Sequence, residues 1–203
     1  MFIKIPKIIR IFFPSIIWKN ENCQNKIWLT FDDGPCAEVT PFILKILKEQ
    51  EVKATFFLVG KQIEKFSSLY KKIIADGHVV ANHSYSHESS WKCNNSSYLY
   101  DIEQCQKLMP QNKLFRPPYG KIKRLQIKEL KKKYKIILWD VLSGDYSRFN
   151  SAKKTKKNVL RNTEAGSIIV FHNNQKSFIT LKKVLKETIQ ELKKQGFLFS
   201  IEW

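Results

Sequence analysis

Six residues, Thr30-Phe31-Asp32-Asp33-Gly34-Pro35, follow the apolar run Ile27-Trp28-Leu29 and place two adjacent carboxylates at its end. Neighbouring carboxylates repel, and at the edge of a core they are costly unless a cationic partner compensates. A divalent metal, an arginine, or both would serve. Partners of both kinds occur further along the chain. His83 and His87 stand at i and i+4, Arg116 opens the segment Arg116-Pro117-Pro118-Tyr119, and His172 ends a later apolar run. Two imidazoles and one carboxylate make a three-ligand set with a coordination position left open, as a catalytic zinc site requires. A metal so held can lower the pKa of its water to about 7. Each residue also has a structural reading. Asp33 before Gly34 could cap a turn, Arg116 before two prolines could form a rigid surface turn, and His172 could be a core histidine. Their shared position in the fold favours the chemical reading.

That position comes from the elements. Short apolar segments at 26–31, 54–59, 78–82, 114–116, 135–141, 167–171 and 197–201 read as strands covered on both faces. Helical stretches lie between them. In the last one, Leu181, Val184, Leu185, Thr188, Ile189 and Leu192 follow i, i+3, i+4 spacing, with lysines on the other face and Gly196 as the stop. The helix after the first strand carries Ile43, Leu44, Ile46 and Leu47, with Thr40-Pro41 as its cap and first turn. Seven β–α alternations predict an α/β domain with a parallel sheet. No glycine-rich dinucleotide fingerprint follows the first strand. A small barrel of the (β/α) type fits better, although a full eight-fold barrel typically takes ~250 residues. Asp32, Asp33, His83, His87, Arg116, Tyr119, Asp140, Asp145 and His172 all fall at or just past the C-terminal end of a predicted strand. In such a barrel those ends open onto the active-site face. His78 opens its strand and reads as structural.

The segments Thr30–Pro35, His83–His87, Arg116–Tyr119, Trp139–Tyr146 and Val170–His172 together resemble, in order, the five motifs of the polysaccharide deacetylase family (the NodB-homology domain, carbohydrate esterase family four). The resemblance runs from Ile27 to about Asn173. It implies a single-domain, distorted (β/α)7 barrel related to the TIM barrel. It also implies a metal, most often Zn2+, held by Asp33, His83 and His87. Asp32 would be the base that takes a proton from the attacking water, with Arg116 paired to it. The backbone N–H of Tyr119 would help stabilise the oxyanion. His172 would be the acid that protonates the departing amine, oriented by Asp145. No organic cofactor is implied. Two positions depart from the pattern. Tyr146 stands where many members have Trp, and Asn173 follows the acid where Asp is common; neither removes a ligand.

The resemblance implies an N-deacetylase acting on an N-acetylated sugar polymer or oligomer, with peptidoglycan or another cell-envelope glycan expected. Two alternatives are a hydrolase of a small non-sugar amide on the same scaffold and a non-catalytic carbohydrate-binding protein. The chain has 203 residues and a net charge of +18. That charge suits an anionic polymer, but the lysines are spread over every predicted helix and the chain is rich in Ile, Asn and Phe, as codon bias would produce. No aromatic and basic interleaving points to nucleic acid. Cys23, Cys36, Cys93 and Cys105 are widely spaced and are expected as free thiols. Residues 1–25 read as an extension ahead of a catalytic domain at 26–203. Its apolar stretch, Ile11 to Trp18, is short of the ~20 residues that span a bilayer, and no small-residue cleavage site follows it. Packing on the domain is the preferred reading, and weak membrane-surface contact through residues 1–18 is the other. A cytoplasmic or peripherally membrane-associated protein is the expectation.

Overall fold

The structure, a computed structural model, describes residues 3–21, 23–109 and 111–203. Its centre is β2 (Lys26–Asp32), buried from Ile27 onward. Period-two alternation sends its side chains to two sides. Ile27, Leu29 and Phe31 join a core shared with α2 (Val39–Glu49) and α8 (Gln175–Lys194). Trp28 points the other way, into a second core with Phe57, Phe115 and Val170. Thr30 and Asp32 continue Trp28's side, so the interior column of β2 is apolar at its start and polar at its end.

Parallel neighbours repeat the pattern. Five more strands, β3 (Thr55–Leu58), β4 (Val79–Asn82), β5 (Leu114–Phe115), β6 (Lys135–Ile137) and β8 (Ile168–His172), extend the sheet on either side of β2. The path runs β1-β6-β5-β4-β3-β2-β8-β7, where β1 is Ile16–Ile17 and β7 is Val141–Leu142, and β9 (Leu198–Phe199) pairs with the first residues of β2. Every strand pairing is parallel. The sheet curls into a distorted (β/α)7-type barrel. Besides α2 and α8, the helices are α1 (Lys7–Ile11), α3 (Gly60–Lys65), α4 (Ser67–Ala75), α5 (Asn95–Leu108), α6 (Arg124–Leu130) and α7 (Ala152–Asn162). Leu181, Val184, Leu185, Ile189 and Leu192 form the buried face of α8. Gly196, at φ 86°, ends that segment.

Three features differ from the sequence reading. First, α2 begins at Val39 with Glu38 at the cap, and the Thr40 hydroxyl accepts the N–H of Cys36 inside the first turn. Second, the strand expected at 135–141 is two strands. The Leu138 N–H bonds to Ile17 O, the guanidinium of Arg116 takes the carbonyls of Ile137 and Leu138, and the Asp140 N–H turns to Ile168 O. The chain thus leaves the edge beside β5 and joins β8. Third, the N-terminal segment contributes sheet. β1 lies beside β6, Lys4 bridges Val141, and the Leu142 N–H bonds to Ile3 O. Residues 3–17 therefore occupy the seam between β6 and β7, which do not pair with each other.

Asp140 is the fourth difference. Sequence groups it with the polar residues at the C-terminal strand ends. The structure puts it at the opposite end, buried beside Ser167, the residue preceding β8, whose hydroxyl it accepts at 2.6 Å. Arg10 pairs with it, and Lys4 lies 3.7 Å away. The strand break explains the move, because Asp140 directly precedes β7 rather than ending β6.

Candidate active site

The register of β2 against β8 sets Asp32 directly beside His172. β4 ends at Asn82, and β5 leads into Arg116 across the same sheet. One cleft of about 910 Å3 opens there, and Asp32, Asp33, His83, His87, Tyr119 and His172 all line it. Residues 140 positions apart in sequence thus meet because parallel strands share one C-terminal face.

The two adjacent carboxylates go separate ways. Asp32 points into the barrel, where Arg116 Nη1 donates to its Oδ1 at 2.6 Å. Arg116 is fully buried, and four of its five N–H donors have partners. It also donates to Thr30 Oγ1 at 2.8 Å, to Leu138 O at 3.0 Å and to Ile137 O at 3.3 Å, and its plane stacks 3.9 Å over the Phe57 ring. Burial pushes the guanidinium pKa down while Asp32 pushes it up; a guanidinium stays charged regardless. The charged donor sits at Oδ1 and leaves Oδ2 for another partner.

Asp33 turns outward through a positive φ of 80°. Its Oδ1 is 3.0 Å from His87 Nε2 and 3.5 Å from His83 Nε2. His83 Nδ1 lies 2.8 Å from Arg116 O. A carbonyl only accepts, so Nδ1 donates to it, and Nε2 is the atom turned to Asp33. Burial opposes ionisation of Asp33, but hydrogen bonds to His83 and His87 outweigh it and hold the carboxyl well below the ordinary carboxylate range. Ligand atoms of Asp33, His83 and His87 all lie within 4.8 Å of one another. One carboxylate and two imidazoles with free Nε2 atoms suit a divalent cation such as zinc, so the group fits the metal that the sequence implies.

The loop carrying the histidines is a compact turn rather than a helix. Ser84 and His87 have positive φ (64° and 61°), and the Ser84 hydroxyl accepts the His87 N–H. Asp101 on α5 accepts the N–H groups of Tyr85 and Ser86. The anchor from Asp101 is invisible in sequence, because no local spacing ties α5 to the loop. Asn174 is also missed. Its Nδ2 donates to Asp33 Oδ2 at 2.6 Å, and its Oδ1 caps α8 by accepting the Ser177 N–H. An Asn three residues before Ser at the head of a clear helix was a usable cap signal. Asn173 is buried and bonded to the Thr40 hydroxyl. A Cβ on Gly34 would fall 2.1 Å from Asn173 Nδ2, so the turn after Asp33 requires glycine.

Across the cleft, Asp145 grips His172 twice. Its Oδ2 accepts the His172 N–H and its Oδ1 accepts from Nδ1, both at 2.8 Å. Ser143 Oγ donates to the same Oδ1. Burial pulls the His172 pKa down, but the charge and hydrogen bond of Asp145, then the charges of Asp33 and Asp32, raise it to about 9. The ring is therefore protonated at neutral pH. Tyr146 meets it edge-on at 4.7 Å, so an aromatic wall is present where Tyr replaces the more common Trp. Trp139 continues that wall, and its buried Nε1 has no partner among the described residues. Tyr119 adopts φ 60° and lines the cleft. Lys61, Lys121 and Lys176 stand at the mouth. His78 lies away from the cleft and accepts the Ala54 N–H; burial lowers its pKa to about 4, so it is a neutral structural residue.

A sequence profile for polysaccharide deacetylase matches residues 19–135. The chain belongs to the polysaccharide deacetylase family. Among curated members, a peptidoglycan-N-acetylglucosamine deacetylase of Bacillus cereus is 38% identical over 185 residues, covering 86% of this chain and 66% of its own. The peptidoglycan-N-acetylglucosamine deacetylase PgdA of Listeria monocytogenes is 36% identical, covering 87% and 38%. The chain thus spans about two thirds of the first deacetylase and under half of the second. Among solved deacetylase structures, the Bc1960 peptidoglycan N-acetylglucosamine deacetylase superposes with a TM-score of 0.87 at 35% identity, covering 92% of this chain and 90% of that one. A mutant of BA3943, a pseudoenzyme of the same esterase family with restored activity, superposes with a TM-score of 0.81 at 27% identity, covering 92% and 69%. No helix among the described residues is long and apolar enough to cross a membrane.

Proposed function

We propose that this chain is a metal-dependent N-deacetylase that releases acetate from an N-acetylated glycan, with peptidoglycan or a related envelope polymer as substrate. The observation that carries this reading is the pairing of Asp32 with His172 across β2 and β8, flanking the Asp33–His83–His87 group within one cleft. Asp33, His83 and His87 would hold a divalent cation, zinc in our reading, which would supply Lewis-acid polarisation and lower the pKa of water at neutral pH. Asp32 takes the proton of the attacking water at Oδ2, because Arg116 already occupies Oδ1. Asp32's position is fixed by that pairing, so little reorganisation is needed as the proton moves. The water oxygen bonds to the acetamide carbon, and the N–H of Tyr119 donates to the carbonyl oxygen as it becomes the oxyanion. His172 enters protonated, with Nδ1 held by Asp145, and gives its Nε2 proton to the sugar nitrogen as the carbon–nitrogen bond breaks. Acetate and a free amino sugar leave. Trp139 and Tyr146 give the acetyl group an apolar wall.

The relatives named for peptidoglycan-N-acetylglucosamine support the substrate class, and the lysines at the mouth suit an anionic polymer. The pseudoenzyme relative favours a second reading, a carbohydrate-binding protein without turnover. Intact Asp32 and His172 argue against it, since binding alone needs neither base nor acid. The test is acetate release from N-acetylglucosamine oligomers and from peptidoglycan fragments, by zinc-loaded and by metal-stripped protein. Release that appears only with metal is expected. A metal-loaded protein that releases nothing from any glycan would leave the binding reading.

A further inference from the structure

The aromatic lining of the cleft continues outward past the reacting groups. The Tyr119 ring, 56% exposed, meets the His87 ring at 4.8 Å. Two residues on, Lys121 also lines the cleft, and its ammonium lies 4.6 Å from the centre of the Trp91 ring. Trp91 is 64% exposed, whereas the other four tryptophans are buried or half-buried. A single exposed apolar side chain is ordinary on a protein surface. What sets Trp91 apart is its mount and its neighbour.

The mount is fixed on several sides. The Lys92 N–H turns back to Ser89 O, and Asn94 caps α5 by accepting the Ser97 N–H. Lys123 Nζ donates to Cys93 O at 2.9 Å. Buried Gln126 accepts the Lys123 N–H and donates to Asn95 Oδ1 at 3.2 Å. The loop bearing Trp91 is thus tied to the segment bearing Tyr119 and Lys121. The neighbour is an unpaired cation. Lys121 forms no ion pair among the described residues, and neither do Lys61 and Lys176 at the same mouth. Glu88, the acidic residue of the loop, accepts the Cys93 thiol at 3.1 Å. An open indole beside a free ammonium suits a group with an apolar face and a negative charge. A sugar ring offers its C–H face to an aromatic ring, and a carboxylate on that sugar pairs with the ammonium.

We propose that Trp91 and Lys121 form a subsite for the sugar next to the reacting one, and that this subsite selects a sugar bearing a carboxylate. The inference rests on the deacetylase reading of the cleft. It narrows the substrate from N-acetylated glycans in general to anionic ones.

The test compares two substrates of the zinc-loaded protein. One is a peptide-free peptidoglycan tetrasaccharide, whose alternate sugars carry a lactyl carboxylate; the other is the same tetrasaccharide with those carboxylates amidated. Native protein should prefer the charged form roughly two- to fivefold in kcat/KM, and the preference should shrink with salt. Lys121→Gln should bring that ratio to about one. Lys128→Gln, which removes an exposed charge on α6, should leave the ratio at its native value. Trp91→Ala should lose roughly three- to tenfold on both substrates through KM rather than kcat, and Trp91→Phe should recover most of it. Zinc content and circular dichroism of each variant report its folding. A native ratio of one, a ratio that Lys121→Gln leaves intact, or one that Lys128→Gln abolishes equally would overturn the proposal. So would an unchanged KM in Trp91→Ala. Release of acetate from neither substrate would instead sink the deacetylase reading. The subsite is then read from calorimetric titration of the same two glycans, where equal affinities, or a preference that survives Lys121→Gln, would overturn it.

Discussion

Adjacent aspartates differ here because the backbone turns between them. Asp32 ends a strand and faces inward to an arginine; Asp33 has left-handed φ and faces outward to two imidazoles. Sequence shows that two carboxylates at one strand end need cationic partners. It also shows candidate partners, since an Arg and a His pair end other strands. It does not show which partner takes which carboxylate, because that depends on a single φ. His172 is the second instance. Its place at a strand end is readable, whereas its protonation depends on a double grip by Asp145 that needs the structure. The raised pKa of about 9 gives a signed prediction. In the proposed mechanism His172 acts as the general acid while protonated, so kcat/KM should fall as pH rises through its pKa. Asp145→Asn removes the largest raising influence and leaves burial to act against the charged ring. The alkaline limb of the kcat/KM profile should then move down by about one unit or more. An unmoved limb would assign that limb to another group.

The elements were read with mixed success, for physical reasons. Strands buried on both faces are continuous apolar runs, and six of the seven expected segments appear with only end corrections. The run at 135–141 looks like one strand because Trp139 and Leu138 are as apolar as their neighbours. Its break is imposed by Arg116, which takes two of its carbonyls, and by Ile17, which takes an amide. Both are tertiary partners that no local pattern encodes. β1, which the sequence reading did not include, is a two-residue strand. Strands this short owe their existence to an available neighbour edge, and propensity gives little sign of them. α8 was the most legible helix, yet its N-cap has a further consequence. Asn174 joins the helix start to Asp33, so helix stability and ligand geometry share one side chain. Asn174→Ala should weaken zinc binding by roughly 10–100-fold in chelator competition. It should also cost about 1 kcal/mol of unfolding free energy, read in denaturant, through loss of the cap. Loss of stability with unchanged zinc affinity would show that Asn174 only caps.

At the scale of the whole molecule, the barrel converts a sequence order into a spatial cluster. The proposed base, ligand set, paired arginine and acid come from β2, the loop after β4, the segment after β5, and β8. Parallel pairing alone sends all of these to one face, which explains how much of the site could be read before any coordinates. Asp140 shows the limit of that rule. It stands between two strands in a seam closed by the N-terminal segment, so the end it faces depends on where the strand breaks. The net charge of +18 is another whole-molecule property. It is spread over the molecule, with lysines at the mouth and basic residues beside α1, and its local placement says more than its sum.

The central claim is that the fold divides work between two neighbouring carboxylates, one for the proton and one for the metal. Metal content and acetate release should be measured together for Asp32→Asn and Asp33→Asn. Asp32→Asn should keep its zinc and lose turnover by roughly 10²–10⁴-fold, whereas Asp33→Asn should lose zinc and turnover together. An Asp32→Asn protein that deacetylates at the native rate, or that loses zinc as readily as Asp33→Asn, would contradict the division.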